Sequence, residues 1–294
     1  MMKIFPVLVF SVIASILSSC NFGWSEFFHR EDQVNSRTRV IEDFDGTEKE
    51  PAPELAADKY SVMLFSDIHF GAVEAKKADR LLEWFKDKQR KLAEEGIPPL
   101  FIICLGDISN LGHDSEYKDF IKFYSDLKTA TGLEIYTIPG NHDLYNSGWE
   151  NWQRYVFPHV GAYRFSTSHG EAALSWYFID TANGTLGNPQ IEDLEKKLKA
   201  DSNEKIVISH YPIYGDGIPY YSLQNINERD VLISMFAKNK VKAVIAGHLH
   251  PGRSSKFGDY FYEEVIRSAW HKSEAAVMTV DMEKKTYDFI RCGF

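Results

Sequence analysis

The chain has 294 residues, 44% hydrophobic and 14% aromatic, enough apolar material for one substantial core. Its formal net charge of −9, without runs of Lys or Arg, disfavours a polynucleotide partner. Its 3 cysteines, Cys20, Cys104 and Cys292, form no CxxC pair, which argues against a zinc ribbon or a disulfide scaffold.

Lys3 precedes an apolar run over residues 4–17, interrupted by Pro6, and Ser18, Ser19 and Cys20 follow. A positive start, a short apolar centre and small residues at its end form the pattern of an export signal, and the run is too short to span a bilayer comfortably. The Leu17-Ser18-Ser19-Cys20 ending resembles a bacterial lipoprotein box with Cys20 as the lipidated first residue of the mature chain. That resemblance implies export to the bacterial cell envelope and membrane attachment through an N-terminal lipid. A cleaved signal without lipid and a retained anchor are the alternatives. With residues 1–19 as the signal, residues 20–59 come next, rich in Asp and Glu and broken by Pro51-Ala52-Pro53. Few apolar residues occur there in series, which predicts a flexible tether. Residues 60–294 form the folded domain.

Residues 60–65, YSVMLF, read as the first strand, and Asp67 and His69 follow it. Two apart in extended backbone, they share a face and can grip one metal ion. Ala78, Leu81, Leu82, Phe85 and Leu92 keep helical spacing. Residues 100–105, LFIICL, read as a strand buried on both faces, with Gly106 and Asp107 at its end. A carboxylate there lies where open α/β sheets gather their chemistry. A second helix begins near Asp114 or Ser115 and buries Tyr117, Phe120, Ile121, Tyr124 and Leu127. Residues 133–138 form a third strand that ends in Pro139-Gly140-Asn141-His142-Asp143. Asn141 offers a carbonyl oxygen to a metal. His142, diverging from it, can face a substrate instead, and Asp143 can orient the His142 ring and raise its pKa.

Residues 144–173 are the least regular part, with Tyr145, Trp149, Trp152, Tyr155, Phe157, Tyr163 and Phe165. These aromatics either rim the site or fill the loop's own small core. Residues 174–179 read as a strand ending at Asp180, and Asn188-Pro189 opens a helix that buries Ile191, Leu194 and Leu198. Residues 205–208 form a strand that ends in Ser209-His210, and a loop with Gly215, Gly217, Pro219, Tyr220 and Tyr221 can flank the cleft. A helix with Val231, Leu232, Met235 and Phe236 leads to residues 241–246, VKAVIA, which end in Gly247-His248-Leu249-His250. The two imidazoles can serve one ion or two. FYEEVIRS, AAVMTVD and YDFIRC read as three strands of a second sheet packed on the first.

Taken in order, the strand ends carry D-x-H, G-D-x-x-N, G-N-H-D, H and G-H-x-H. This set resembles the calcineurin-like metallophosphoesterase superfamily over residues 60–294, and in spacing it is most similar to bacterial class III cyclic-nucleotide phosphodiesterases. The resemblance implies an α/β fold, a four-layer αββα sandwich of two mixed sheets with flanking helices. It also implies a dinuclear metal site at the strand ends. By motif, Asp67, His69, Asp107 and His250 would hold one ion. Asp107, Asn141, His210 and His248 would hold the other, with Asp107 bridging. His142 would stand beside the substrate with Asp143 behind it. Two dications roughly 3.5–4 Å apart repel, so a shared carboxylate is needed. The carboxylate, amide and imidazole set suits two divalent or trivalent transition-metal ions, Mn, Fe, Zn or Ni. A water between them loses its proton near neutral pH and attacks phosphorus in line, while protonated His142 assists the departing alkoxide. The implied substrate is a small phosphomonoester or phosphodiester. Asn110 stands where purple acid phosphatases carry a tyrosine ligand, so tyrosinate–iron chemistry is not implied. A catalytically silent metal-binding scaffold of the same fold and a nuclease are the alternatives. Every candidate ligand is present, which speaks against the first, and the acidic charge speaks against the second.

Overall fold

The computed structural model describes residues 33–44, 53, 55–215 and 221–294. The expected signal, residues 20–32, 45–52 and 54 of the expected tether, with Cys20 among them, and Gly217, Pro219 and Tyr220 lie outside the described residues.

The described chain begins with α1 (Val34–Arg37) and β1 (Glu42–Asp43). Here the tether expectation is corrected, because residues 33–44 are built into the domain. Arg37 donates to both Asp180 oxygens, at 2.8 and 2.9 Å, with both side chains fully buried. Thr38 Oγ1 donates to Asp180 Oδ2 at 2.6 Å. Ile41 is buried, Phe44 stacks on Tyr163 at 4.6 Å, and β1 pairs in parallel with residues 163–164. A charge buried with a bidentate partner is held in one geometry, and the polar composition of the segment hides that.

From β2 (Lys59–Phe65), Tyr60, Val62 and Leu64 enter one core while Met63 and Phe65 enter another. A strand buried on both faces needs cover on both sides. The chain alternates helix and strand to provide it: α2 (Ala75–Glu94), β3 (Pro99–Cys104), α3 (Asp114–Thr131) and β4 (Ile135–Thr137). The α3 N-cap is His113, one residue before the expected start, and its N–H donates to Glu116 Oε2 at 3.1 Å. A 3-10 turn (His142–Leu144), α4 (Gly148–Tyr155), β5 (Tyr163–His169) and β6 (Ala172–Phe178) follow. Next come α5 (Asn188–Ala200), β7 (Glu204–Ile208), α6 (Ile226–Lys238) and β8 (Val241–Ala246). The chain closes with β9 (Arg253–Phe257), β10 (Phe261–Val265), α7 (Ala269–Lys272), β11 (Glu274–Asp281) and β12 (Thr286–Gly293).

The strands make a five-stranded sheet, β12-β11-β2-β3-β4, and a seven-stranded sheet, β1-β5-β6-β7-β8-β10-β9. Between them pack Val62, Leu64, Phe101 and Ile103 of the smaller sheet against Phe165, Trp176, Ile206 and Ile245 of the larger. Helices α2, α3 and α4 cover the outer face of the smaller sheet with Leu81, Phe85, Phe120 and Trp152. Helices α5 and α6 cover the larger with Leu194, Leu198, Leu232 and Phe236. This is the expected four-layer αββα sandwich. Among the described residues no helix is long and apolar enough to cross a membrane.

Two local expectations are corrected. The last three expected strands do not form a sheet of their own: β10 pairs in parallel with β8, whereas β11 runs antiparallel to β2 and carries β12 on its far side. Residues 144–173 are not irregular, since they hold α4 and β5. Their aromatics mostly join the main cores, Trp149 and Trp152 outside and Tyr163 and Phe165 between the sheets.

Candidate metal centre

The carboxyl ends of β2, β3, β4, β7 and β8 meet at one edge of the sandwich, and their loops are sewn together through the backbone. Asp67 N donates to Gly106 O at 3.1 Å, His69 N to Asp107 O at 3.0 Å, and Gly247 N to His210 O at 3.0 Å. Asp67, His69, Asp107 and His248 stand in left-handed backbone, with φ of 53°, 53°, 51° and 62°. Such a conformation costs a non-glycine residue about 1–3 kcal/mol and clusters at functional sites; Asp and His tolerate it better than most. Asp67 and His69 therefore do not share a face by the alternation of extended backbone, as expected, because the chain there is kinked. Their side chains converge all the same. A Cβ on Gly140 would collide with the Asp107 carboxylate, and one on Gly247 with the Ser66 hydroxyl. Only glycine lets these loops close so tightly.

All seven expected ligands come together. Asp67, His69 and His250 form one group, Asp107, His210 and His248 a second, and His69, Asp107 and His142 link them, with the potential ligand atoms of each group within 4.8 Å of one another. Asn141 Oδ1 lies 3.2 Å from His210 Nε2. Asp107 Oδ2 lies 3.6 Å from His69 Nε2 and 3.5 Å from His210 Nε2, between the two groups. His248 and His250 thus part company, one into each group. Cys104 lies in the outer core.

The donor set fits a metal on two counts. Both nitrogens of buried His69 lack a hydrogen-bond partner, as does Oδ1 of Asp67, which lies 3.3 Å from His250 Nε2 without hydrogen-bond geometry. Buried polar atoms are rarely left so. The donors are also oxygen and nitrogen throughout, the preference of intermediate transition metals. At His69 and the two carboxylates the electrostatics prepare the same end state. Burial presses His69 down to about 4 and adjacent His142 adds to this, against the pull of Asp107, which favours the neutral ring with one nitrogen's lone pair available. Burial would raise Asp107, but His210, His142 and His69 outweigh it and hold the carboxyl well below its ordinary range. Burial likewise opposes ionisation of Asp67, and the neighbouring His250 ring brings it down. For His210, burial opposes the charged ring, and Asp107 overrides it to about 9.

Asp143 differs from expectation, because it does not meet the His142 ring. His142 N donates to Asp107 Oδ1 at 2.8 Å, and its ring Nδ1 lies 2.7 Å from the carbonyl of Asn110, not against Asp143. The Asp143 carboxylate instead takes Ser109 N at 2.9 Å, Ser109 Oγ at 3.0 Å and Gly140 N at 2.9 Å. It clamps the β3 and β4 loops together. Burial, and then repulsion from Asp107, push it up to about 7. The role of Asn110 comes through its backbone oxygen, which explains why its side-chain type was uninformative. The sequence reading also missed Ser66, whose hydroxyl donates to Asp67 Oδ2, and Ser109. Serine in a polar loop carries no distinguishing pattern.

Comparison with known proteins points the same way. The sequence model of the calcineurin-like phosphoesterase family matches residues 60–252. A probable cyclic nucleotide phosphodiesterase of Xenorhabdus bovienii is 28% identical over 160 residues, 52% of this chain and 61% of that one. Another, of Coxiella burnetii, is 26% identical over 156 residues, 51% of this chain and 59% of that one. This chain therefore spans about three-fifths of the length of these curated relatives. In structure it resembles a dimetal phosphatase from Danio rerio, with TM-score 0.57 and 13% identity over 75% of this chain and 92% of that one. It also resembles GAP50, the anchor in the inner membrane complex of Plasmodium, with TM-score 0.57 and 16% identity over 80% of this chain and 89% of that one. These structural likenesses show the fold. With the family match over residues 60–252, they make this chain a member of the calcineurin-like phosphoesterase family.

Proposed function

We propose that this chain hydrolyses small phosphate esters, mono- or diesters, with two transition-metal ions, Mn, Fe, Zn or Ni. The observation that carries the reading is Asp107 Oδ2, placed 3.6 Å from a ring nitrogen of one ligand group and 3.5 Å from one of the other. Asp67, His69 and His250 would hold the first ion, and Asn141, His210 and His248 the second, with Asp107 shared. When bound, the pair supplies neutralisation of the phosphoryl oxygens and an acidified water as nucleophile. The chain supplies the rest. Asp107 also accepts the His142 N–H, which fixes that residue beside the reacting phosphate. The Asn110 carbonyl takes Nδ1–H of His142 and so leaves Nε2, in the protonated ring, to give its proton to the departing oxygen. Asp143 holds the loop that carries Asn141 and His142 against the Ser109 loop.

The names of the Xenorhabdus and Coxiella relatives support including cyclic phosphodiesters among the substrates tried. The test is a panel of mono- and diesters on protein reconstituted with Mn, Zn or Fe. Metal-dependent turnover of at least one ester is expected. A metal-loaded protein inert across the panel would leave a binding scaffold.

As part of the same reading, the Leu17-Ser18-Ser19-Cys20 box supports lipid attachment at Cys20 and a place in the cell envelope. Cys20→Ala should free the protein from membranes, and persistent membrane association would rule out that anchor.

A further inference from the structure

We propose, on the two-ion reading above, that His271 on α7 is a positioning residue that sets which nitrogen of His250 faces the metal and thereby tightens one half of the centre. His250 has two ring nitrogens. Nε2 lies 3.3 Å from Asp67 Oδ1, on the side of the other ligands. Nδ1 lies 2.6 Å from Nδ1 of His271. At that separation one nitrogen carries a proton and the other a lone pair. A neutral His250 that coordinates through Nε2 carries its proton on Nδ1, so it donates and His271 accepts. The opposite tautomer of His250 would aim its proton at the ion. Metal-binding histidines commonly have this choice made for them by an oxygen acceptor. His210 has one, the Leu105 carbonyl 2.7 Å from its Nδ1. His271 holds the corresponding place behind His250.

The acceptor is itself held. Its backbone N–H donates to Ser268 Oγ at 3.0 Å, and that hydroxyl donates to the Asp67 carbonyl, also at 3.0 Å. Ser268 N donates to His250 O at 3.2 Å, Ala269 N to Ser66 O at 2.8 Å and Trp270 N to Asp67 O at 3.1 Å. The Trp270 ring stacks on His271, centres 3.9 Å apart, and stands 4.9 Å from the ring of His69. Thus α7 is tied to both segments that deliver Asp67 and His250, which a surface turn has no reason to be.

The test compares His271→Ala, His271→Asn and the neighbouring control Lys272→Ala. Each metal-stripped protein is titrated with Co2+, read by calorimetry and by visible absorption of the bound ion. Asn puts an amide oxygen about where Nδ1 stands and accepts the same hydrogen bond. His271→Ala should weaken one of two sites by about 10- to 100-fold and change its spectrum, the size typical of losing a partner behind a ligand. His271→Asn should recover most of that affinity, and Lys272→Ala should match wild type. Wild-type affinity and spectrum in His271→Ala would overturn the proposal. So would equal weakening of both sites in His271→Ala and His271→Asn, the mark of a purely structural turn. Wild-type protein that binds no Co2+ would overturn the two-ion reading itself, before any variant is made.

Discussion

At the amino ends of β7 and β8, Lys205 is buried, yet its ammonium donates to the carbonyls of Asp201 and Asn203, both at 2.7 Å. Beside it Lys242 pairs with Glu204 at 3.3 Å, and Tyr287 donates to the same carboxylate group at 2.6 Å. Asn203, Glu204, Lys242 and Tyr287 line a cleft of about 590 Å³ with ordinary paired groups. At the carboxyl ends of the same strands stand His210 and His248. There, Asp67 Oδ1 and both nitrogens of His69 lack partners, and four residues sit in left-handed backbone. The sandwich thus runs from satisfied polar groups at one end of these strands to unsatisfied ones beside their other end. A fold pairs its buried polar atoms wherever nothing else requires them, so the unpaired end is where local rules have been set aside for chemistry.

Substitutions at the two ends should separate activity from stability. The largest effect belongs to Asp107→Ala, which should lower phosphate-ester hydrolysis by at least about a thousandfold, because several kcal/mol of charge stabilisation depend on the pair it holds. Turnover near wild type in steady-state assays would break the contrast. His142→Ala should cost about a hundredfold in kcat on esters with poor leaving groups and much less on a nitrophenyl ester, with metal content unchanged. Equal losses on both esters would remove its proton-donor role. At the other end, Lys205→Met should leave hydrolysis intact and lower unfolding free energy by about 1 kcal/mol, read from urea denaturation, since two half-buried carbonyls lose their donor.

The smallest effect concerns protons. The folded pKa of His210, about 9, stands above its ordinary 6.5. In the metal-free protein its pairing with Asp107 therefore stabilises fully below 6.5, and that support is lost as pH rises through about 9. An ion taken by His210 displaces the proton. At about pH 7.5, metal uptake should release about one proton more from wild type than from His210→Ala, seen in buffer-dependent heats of binding. Equal release would show that His210 is not a ligand.

The centre was more legible in sequence than the frame that carries it. Asp107, Asn141 and His248 each follow a glycine at the end of an apolar run, and short-range pattern shows that directly. The grouping of His248 with Asp107 and of His250 with Asp67 came only with the family resemblance, because two imidazoles on one loop can turn either way. Strand order was illegible for a different reason. The sheet that β10 or β11 joins depends on pairings with β8 and β2, far away in the chain. The Arg37–Asp180 clamp rests on a single cation in a polar stretch, 143 residues from its partner. The Asn110 carbonyl left no trace because every residue has one. In 163–169, YRFSTSH, the alternation that marks β5 was present, but polar residues at every second position made it look like a loop.

Asp67, His69, Asp107 and Asn141 follow strands of the smaller sheet, while His210, His248 and His250 follow strands of the larger. Neither layer alone carries a full coordination set. An ion lodged between Asp107 and His210 would act as a rivet through the seam, so the docking of one layer on the other and the readying of the reactive mouth would be a single event.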